Sequence, residues 1–225
     1  MHANANSIIQ SLESLKARLH EAGILYDWNP SIREAVRHGV SRVTWATNGT
    51  RPDLSGVTVS NISEYLAFLA GRHFQFQLTD GSLIQMSYDI RNQSSEVVSS
   101  RLVWYPCPIE FSQEELTYAS LEEMILSSPT ELLSLQAPLR FDFAPHQIGP
   151  NHSATHLHMG KEDFRLPVQR AMEPSRFMRL VIRTAYPQVW EQTELFNTVE
   201  NWGAQDRLSA DDQSCGALTW TIPVA

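Results

Sequence analysis

LRFDFAPHQIGPNHSATHLHMGKEDFRLPV, residues 139–168, is the stretch on which the fold turns. In Leu139-Arg140-Phe141-Asp142-Phe143 the two apolar aromatics and Leu139 alternate with Arg140 and Asp142. In Thr155-His156-Leu157-His158-Met159 the alternation recurs, with Leu157 and Met159 on one side and His156 and His158 on the other. A period of two is that of a strand with one face buried. If the two segments pair as a long-looped hairpin, one face is core and the opposite face gathers Arg140, Asp142, His156 and His158. Four of the eight histidines, His146, His152, His156 and His158, fall within this stretch. It is therefore both a piece of sheet and the candidate site.

Upstream, residues 7–22 carry Ile8, Ile9, Leu12, Leu15 and Leu19 at helical spacing, stopped near Gly23. Asn29-Pro30-Ser31 predicts a short helix to about His38, and Ser41–Ala46 a strand. Asn48–Pro52 reads as a turn-rich loop and Asn61–Gly71 as a helix. Phe74, Phe76 and Leu78 alternate with Gln75 and Gln77 up to the Asp80-Gly81 turn. Leu83–Tyr88 and Val97–Tyr105 then read as successive antiparallel strands, with the glutamine-lined face expected toward solvent. Ser112 and Glu115 have capping-box spacing, so a helix is expected there, with helical pieces to about Gln136. The glutamates between 110 and 131 read as a solvated face.

Downstream, Glu173-Pro174-Ser175 predicts a helix to about Tyr186. Phe177, Leu180, Val181 and Thr184 form one stripe of it, and Arg176, Arg179 and Arg183 another. A helix over Val189–Thr198, a loop-like tail over 201–214 and a last strand over 217–224 complete the reading. With no internal repeat and no linker, the expectation is one α+β domain over 1–225, an antiparallel (mixed) sheet flanked by helices, with 139–187 carrying the site.

At 225 residues, 42% hydrophobic and 19% charged, the chain can form a substantial core. No apolar run nears the roughly 18 residues that span a membrane, and the start of the chain does not resemble a secretion signal. The sequence predicts a cytoplasmic protein without a membrane partner. Cys107 and Cys215 lack the spacing of a disulfide framework or metal site, and Cys107, between two prolines, reads as a packed residue. A net charge of −8 excludes broad nonspecific DNA binding. The charge is uneven: Arg140–Arg183 holds seven Lys/Arg against four Asp/Glu, net +3, which leaves −11 for the rest. A locally basic site on an acidic protein suits an anion.

Imidazoles titrate near neutrality, so neighbouring histidines can act as general base and general acid. Cleavage of a phosphodiester next to a ribose 2′-hydroxyl needs such a pair and cations for the developing charge. His156 and His158 supply the pair, and Asp142 is placed to orient a histidine. Arg140, Arg165 and the Arg176, Arg179, Arg183 stripe are the candidate phosphate contacts. This reading needs no cofactor and no metal. The alternative is a metal-dependent hydrolase, in which His156, His158, His152 and Asp142 are ligands. A third reading is a noncatalytic subunit that docks a protein partner encoded nearby, through the glutamate-rich helices or the glutamine-faced hairpin. A Walker loop, GxGxxG, GxSxG and HExxH are all missing from the sequence.

LRFDFAP, HSATHLHMG, FRLPV and FMRLVIRTAYP together resemble a bacterial family catalogued as domain of unknown function 2290. The resemblance is closest over residues 139–187. Where that family implies a Cys-Arg pair before Leu/Ile-Pro, Phe164 stands in the cysteine position and Arg165 is retained. The family carries no established activity. Arg-aromatic-Asp followed by His-x-His is also similar to small bacterial toxins of toxin–antitoxin pairs. That similarity implies an RNA- or nucleotide-directed effector in bacterial conflict or phage defence.

Overall fold

The computed structural model describes residues 1–47, 62–134, 136–149, 152–159 and 164–219. The chain opens with α1 (Ala5–Glu21), capped by Asn4, whose side chain accepts from the Ser7 N–H at 2.9 Å. Ile8, Leu12, Leu15 and Leu19 form its buried stripe, as their spacing predicts. Three strands follow: β1 (Leu25–Trp28), β2 (Ser31–Arg37) and β3 (Val40–Trp45). The helix expected from Asn29 is thus a strand. The His38-Gly39 turn, with Gly39 at φ +73°, folds residues 31–37 back onto β3, and this ladder overrides the local N-cap signal. The loop expected at Asn48–Pro52 lies outside the described residues.

Next come α2 (Ile62–Ala70), β4 (Phe76–Leu78), β5 (Leu83–Arg91) and β6 (Glu96–Tyr105). The Asp80-Gly81 turn joins β4 to β5, with Gly81 at φ +84°. Ser112 and Glu115 exchange capping bonds, but they cap only a 3-10 turn. The α-helix of this region is α3 (Leu121–Ser127), with its own Ser120/Glu123 capping box. The acidic side chains from Glu110 to Glu131 are exposed, as expected.

The chain then forms β7 (Leu139–Phe143), β8 (Thr155–Met159), β9 (Arg165–Pro167), α4 (Pro174–Ala185), α5 (Pro187–Gln192) and α6 (Ala210–Cys215). The buried stripe of α4 is Phe177, Met178, Val181 and Ile182; Leu180 is half-buried and Thr184 exposed. The helix expected to reach Thr198 ends at Gln192. The tail expected as loop contains α6. Of the last strand, the described part contributes one bridge, Leu218 to Val168.

The strands form one antiparallel sheet in the order β1-β4-β5-β6-β7-β8-β9, with β3 on the far half of β5 and β2 outside β3. Among the described residues this makes nine strands and six α-helices, an α+β architecture. One face packs against α1 and α4 through Ile84, Met86, Tyr88, Leu102, Phe141 and Leu157. Phe177 of α4 meets Phe141 edge-on, ring centroids 6.0 Å apart. Glu200 ties the two helices together, accepting from Ser11 at 2.8 Å and from Ser175. The other face is split. A smaller apolar cluster joins Tyr65 and Phe68 of α2 and Leu121 and Ile125 of α3 to Leu83, Val103 and Tyr105. The rest of that face is polar.

The glutamines on β4 and β5 are buried rather than solvated: Gln75, Gln77 and Gln85 are 1%, 5% and 1% exposed. Gln75 donates to the Asn29 carbonyl at 2.9 Å and Gln85 to the His73 carbonyl. Backbone carbonyls of the segments after β1 and before β4 thus take up amide hydrogens of Gln75 and Gln85.

Among the described residues, no helix is long and apolar enough to cross a membrane.

Candidate functional site

The hairpin read from residues 139–168 forms in the register its alternation implies. Arg140 lies opposite His158, Asp142 opposite His156 and Phe141 opposite Leu157. Cross-strand partners share a face, so the two ionic residues and the two imidazoles stand together, while Phe141 and Leu157 enter the main core. The neighbouring ladders extend the group. On one side Arg101 of β6 pairs with Asp142 and Val103 with Arg140. On the other, Arg165 of β9 pairs with His158. Two rows therefore cross the sheet: Ser87–Arg101–Asp142–His156, and Gln85–Val103–Arg140–His158–Arg165.

Asp142 is the hub. Arg101 grips it with a fork, Nε to Oδ1 at 3.1 Å and a terminal nitrogen to Oδ2 at 3.4 Å. Arg140 Nε lies 3.1 Å from Oδ2. His158 Nε2 and His156 Nε2 stand farther off, at 3.7 and 4.0 Å from the same oxygen. The close partners of the carboxylate are thus guanidiniums, and its role toward the imidazoles is electrostatic. Arg140, Asp142, His156 and His158 are all buried.

His156 is fixed by its other nitrogen. Nδ1 lies 2.9 Å from the Ser153 carbonyl, so the neutral ring donates there and turns an Nε2 lone pair toward Asp142. Burial holds its conjugate acid below the ordinary histidine range; the Ser153 carbonyl and Asp142 pull the other way, and His152 and Arg165 add to the lowering. The ring is neutral at pH 7 and able to accept a proton. His158 meets it at a ring separation of 4.7 Å and 70°, and His152 packs on its other side at the same distance and angle.

Three donor atoms, one each from Asp142, His156 and His158, lie within 4.8 Å of one another, close enough to share a metal ion. Around them, among the described residues, stand three guanidiniums, Arg101, Arg140 and Arg165, and one carboxylate. Among the described residues the guanidiniums here outnumber the carboxylate, which suits an anion better than a divalent cation.

The structure thus brings together Arg140, Asp142, His156, His158, Arg165 and, at the edge, His152. It does not bring the arginine stripe. Arg176, Arg179 and Arg183 lie on α4, which packs on the opposite sheet face. There Arg176 pairs with Glu173 at 3.1 Å, Arg179 donates to the Asn197 carbonyl, and Arg179 and Arg183 stand over Trp190. Their helical spacing is real, but it points away from the histidines. His146 is exposed on the hairpin loop. Arg101 is the residue that sequence reasoning missed. Its signal was faint: a lone charge in the middle of the otherwise uncharged run from Val97 to Tyr105, with nothing to tell which strand it would face.

The chain matches the model of a family described as an uncharacterized conserved protein, over residues 25–220. No curated protein and no solved structure matches.

Proposed function

Because the chain belongs to DUF2290, a family whose description names no chemistry, we propose from the site itself a metal-independent phosphodiester cleavage, with RNA as substrate. The observation that carries this is the pair of imidazoles set edge to face at 4.7 Å beside three guanidiniums and a carboxylate already paired with two of them. His156 is the base. Its neutral Nε2 takes the proton of a ribose 2′-hydroxyl, and the freed oxygen bonds to phosphorus. His158, on the adjacent position of the face, acts in its imidazolium form and gives its proton to the leaving 5′-oxygen as the P–O bond breaks. The products are a 2′,3′-cyclic phosphate and a 5′-hydroxyl end. Arg140, Arg101 and Arg165 stabilise the extra negative charge of the phosphorane. Asp142 holds two of those guanidiniums in place. A role as a toxin-like or phage-defence effector would suit this chemistry.

The three-ligand cluster of Asp142, His156 and His158 favours a second reading, metal-dependent hydrolysis. It requires the carboxylate to exchange its ion pairs with Arg101 and Arg140 for a cation.

One experiment separates them. Purified wild type, His156→Ala and His158→Ala are assayed on RNA and on DNA of the same sequence, with and without chelator, and their metal content is measured. The expected result is RNA-only, chelator-resistant cleavage giving cyclic phosphate ends, reduced at least about a hundredfold in either variant. Stoichiometric metal that is lost in the variants, with chelator-sensitive cleavage, would establish the second reading. Absence of cleavage in folded wild type under all conditions would refute both.

A further inference from the structure

Two acceptors compete for the single N–H of neutral His156. The Ser153 carbonyl lies 2.9 Å from Nδ1, and Asp142 Oδ2 lies 4.0 Å from Nε2. With the hydrogen on Nδ1, Nε2 keeps a lone pair on the polar face and can take a proton. With the hydrogen on Nε2, that nitrogen points its N–H at Asp142 and offers the face no base. The nearer acceptor decides. A drift of about half an ångström takes a bond of this length to the edge of its range, so the ring depends on where Ser153 is held.

Ser153 is held from far down the chain. Its Oγ donates to Asp212 Oδ1. Asp212 is itself locked into the start of α6 by a capping box: Oδ2 accepts from the Ser209 N–H at 2.9 Å and from its Oγ at 2.8 Å, and the Asp212 N–H donates to Ser209 Oγ at 3.1 Å. Burial pushes the Asp212 carboxyl up, but the bonds from Ser153 and Ser209 hold it below the ordinary carboxylate range, so both oxygens stay acceptors.

The same segment grips the strand on the other side of His156. The ladder partner of His156 is Pro167. The Pro167 carbonyl accepts from the Leu218 N–H at 2.9 Å, and the Leu218 carbonyl accepts from the Gln169 N–H at 2.9 Å. Gln169 is tied twice more, by its Nε2 to Asp206 at 3.0 Å and by its carbonyl to the Arg207 N–H at 2.8 Å. Residues 206–218 therefore bind both stretches that flank His156. None of the side chains described from 205 to 219 belongs to either apolar core, so the segment acts through polar bonds and not through burial.

We propose that residues 206–218 form a clasp that sets the tautomer of His156, with Asp212 as a positioning residue acting through Ser153. Its effect on rate rests on the phosphodiester reading above; its effect on the ring does not.

The test uses the full chain with nitrogen-isotope-labelled histidine, in which protonated and bare imidazole nitrogens give separate NMR signals. The signals of His156 are those lost in His156→Gln. Wild type, Ser153→Ala, Ser153→Thr and Asp212→Ala are compared at neutral pH, and the same samples are assayed on RNA. Wild type is expected to carry the His156 hydrogen on Nδ1. In Ser153→Ala and Asp212→Ala a large share of it moves to Nε2, and kcat falls about tenfold to a hundredfold with KM unchanged. Ser153→Thr, which keeps the hydroxyl, stays like wild type in both. A wild-type ring with its hydrogen on Nε2 overturns the proposal whatever the variants do. Folded Ser153→Ala and Asp212→Ala that keep the wild-type tautomer overturn it too, even where wild type cleaves RNA. Loss of folding in these variants would make the segment part of the stable fold and would also overturn it. A shifted tautomer with no RNA cleavage in any sample upholds the clasp and refutes only the cleavage reading. A shifted tautomer with cleavage at the wild-type rate upholds the hold on the ring and refutes His156 as the base.

Discussion

At the scale of single residues, His156 decides how the site responds to pH. Burial lowers its affinity for a proton, outweighing the help of the Ser153 carbonyl and Asp142. In the unfolded chain it titrates near 6.5. Since the folded value is depressed, the unfolded state takes up the proton first as pH falls. Stability is therefore intact above about 6.5 and drains away below it until the folded group also titrates. Replacing His156 by Asn keeps a donor where Nδ1 stood but removes the titration. Urea melts at pH 7.5 and 5.5 should show a smaller acid loss for His156→Asn than for wild type. An equal or larger loss would mean that another group governs the acid limb. The chemistry of this residue was visible in the His-x-His spacing. Its tautomer was not, because the Ser153 carbonyl reaches it only once the hairpin loop has folded back.

At the scale of elements, alternation carried most of the information. The pairing of β7 with β8 follows from two runs of period two, because a slip of one residue would turn either Arg140 and Asp142 or both histidines into the main core. What alternation does not supply is the neighbour across the other edge. Arg101 joined the site through the β6–β7 ladder, which no local pattern announces. The strand at residues 31–37 was hidden by a stronger local signal, Asn-Pro-Ser, and is held by its partner rather than by propensity. The β4–β5 turn was legible because Asp-Gly needs little context. Gly81 there sits at φ +84°, and a Cβ on it would lie 2.8 Å from Cys107 Sγ and 3.0 Å from a Leu121 methyl. Two penalties coincide, a left-handed backbone and a collision with α3 and its approach. Gly81→Ala should cost about 1–3 kcal/mol, and Cys107→Ala in the same chain should recover part of it. A double-mutant cycle by denaturant unfolding reads the coupling. Strict additivity would show that the backbone angle alone is responsible.

At the scale of the whole molecule, one sheet serves two cores of unequal size. The larger, between the sheet and α1 and α4, draws on strands from both ends of the chain. The smaller, under α2 and α3, is built on Leu83, Val103 and Tyr105, and its helices are short. The strands β5 and β6 belong to both, so the smaller core can loosen while the larger keeps the sheet intact. Local opening of this kind follows where few apolar contacts hold an element. Phe68, 3% exposed and packed on Tyr105 at a ring separation of 5.2 Å, is the test position. Removing a buried phenyl costs about 3–5 kcal/mol, a large share of the stability of an ordinary domain. In Phe68→Ala, hydrogen exchange followed by mass spectrometry should show protection falling first over 62–70 and 121–127. Amides of α1, α4 and the centre of β5 should keep theirs. The row from Gln85 to Arg165 passes beneath Val103, a member of the smaller core, so the same loosening would reach the polar face before the main core feels it. A uniform loss across all segments would mean that the two cores unfold as one, and that the polar face is as rigid as the sheet beneath it.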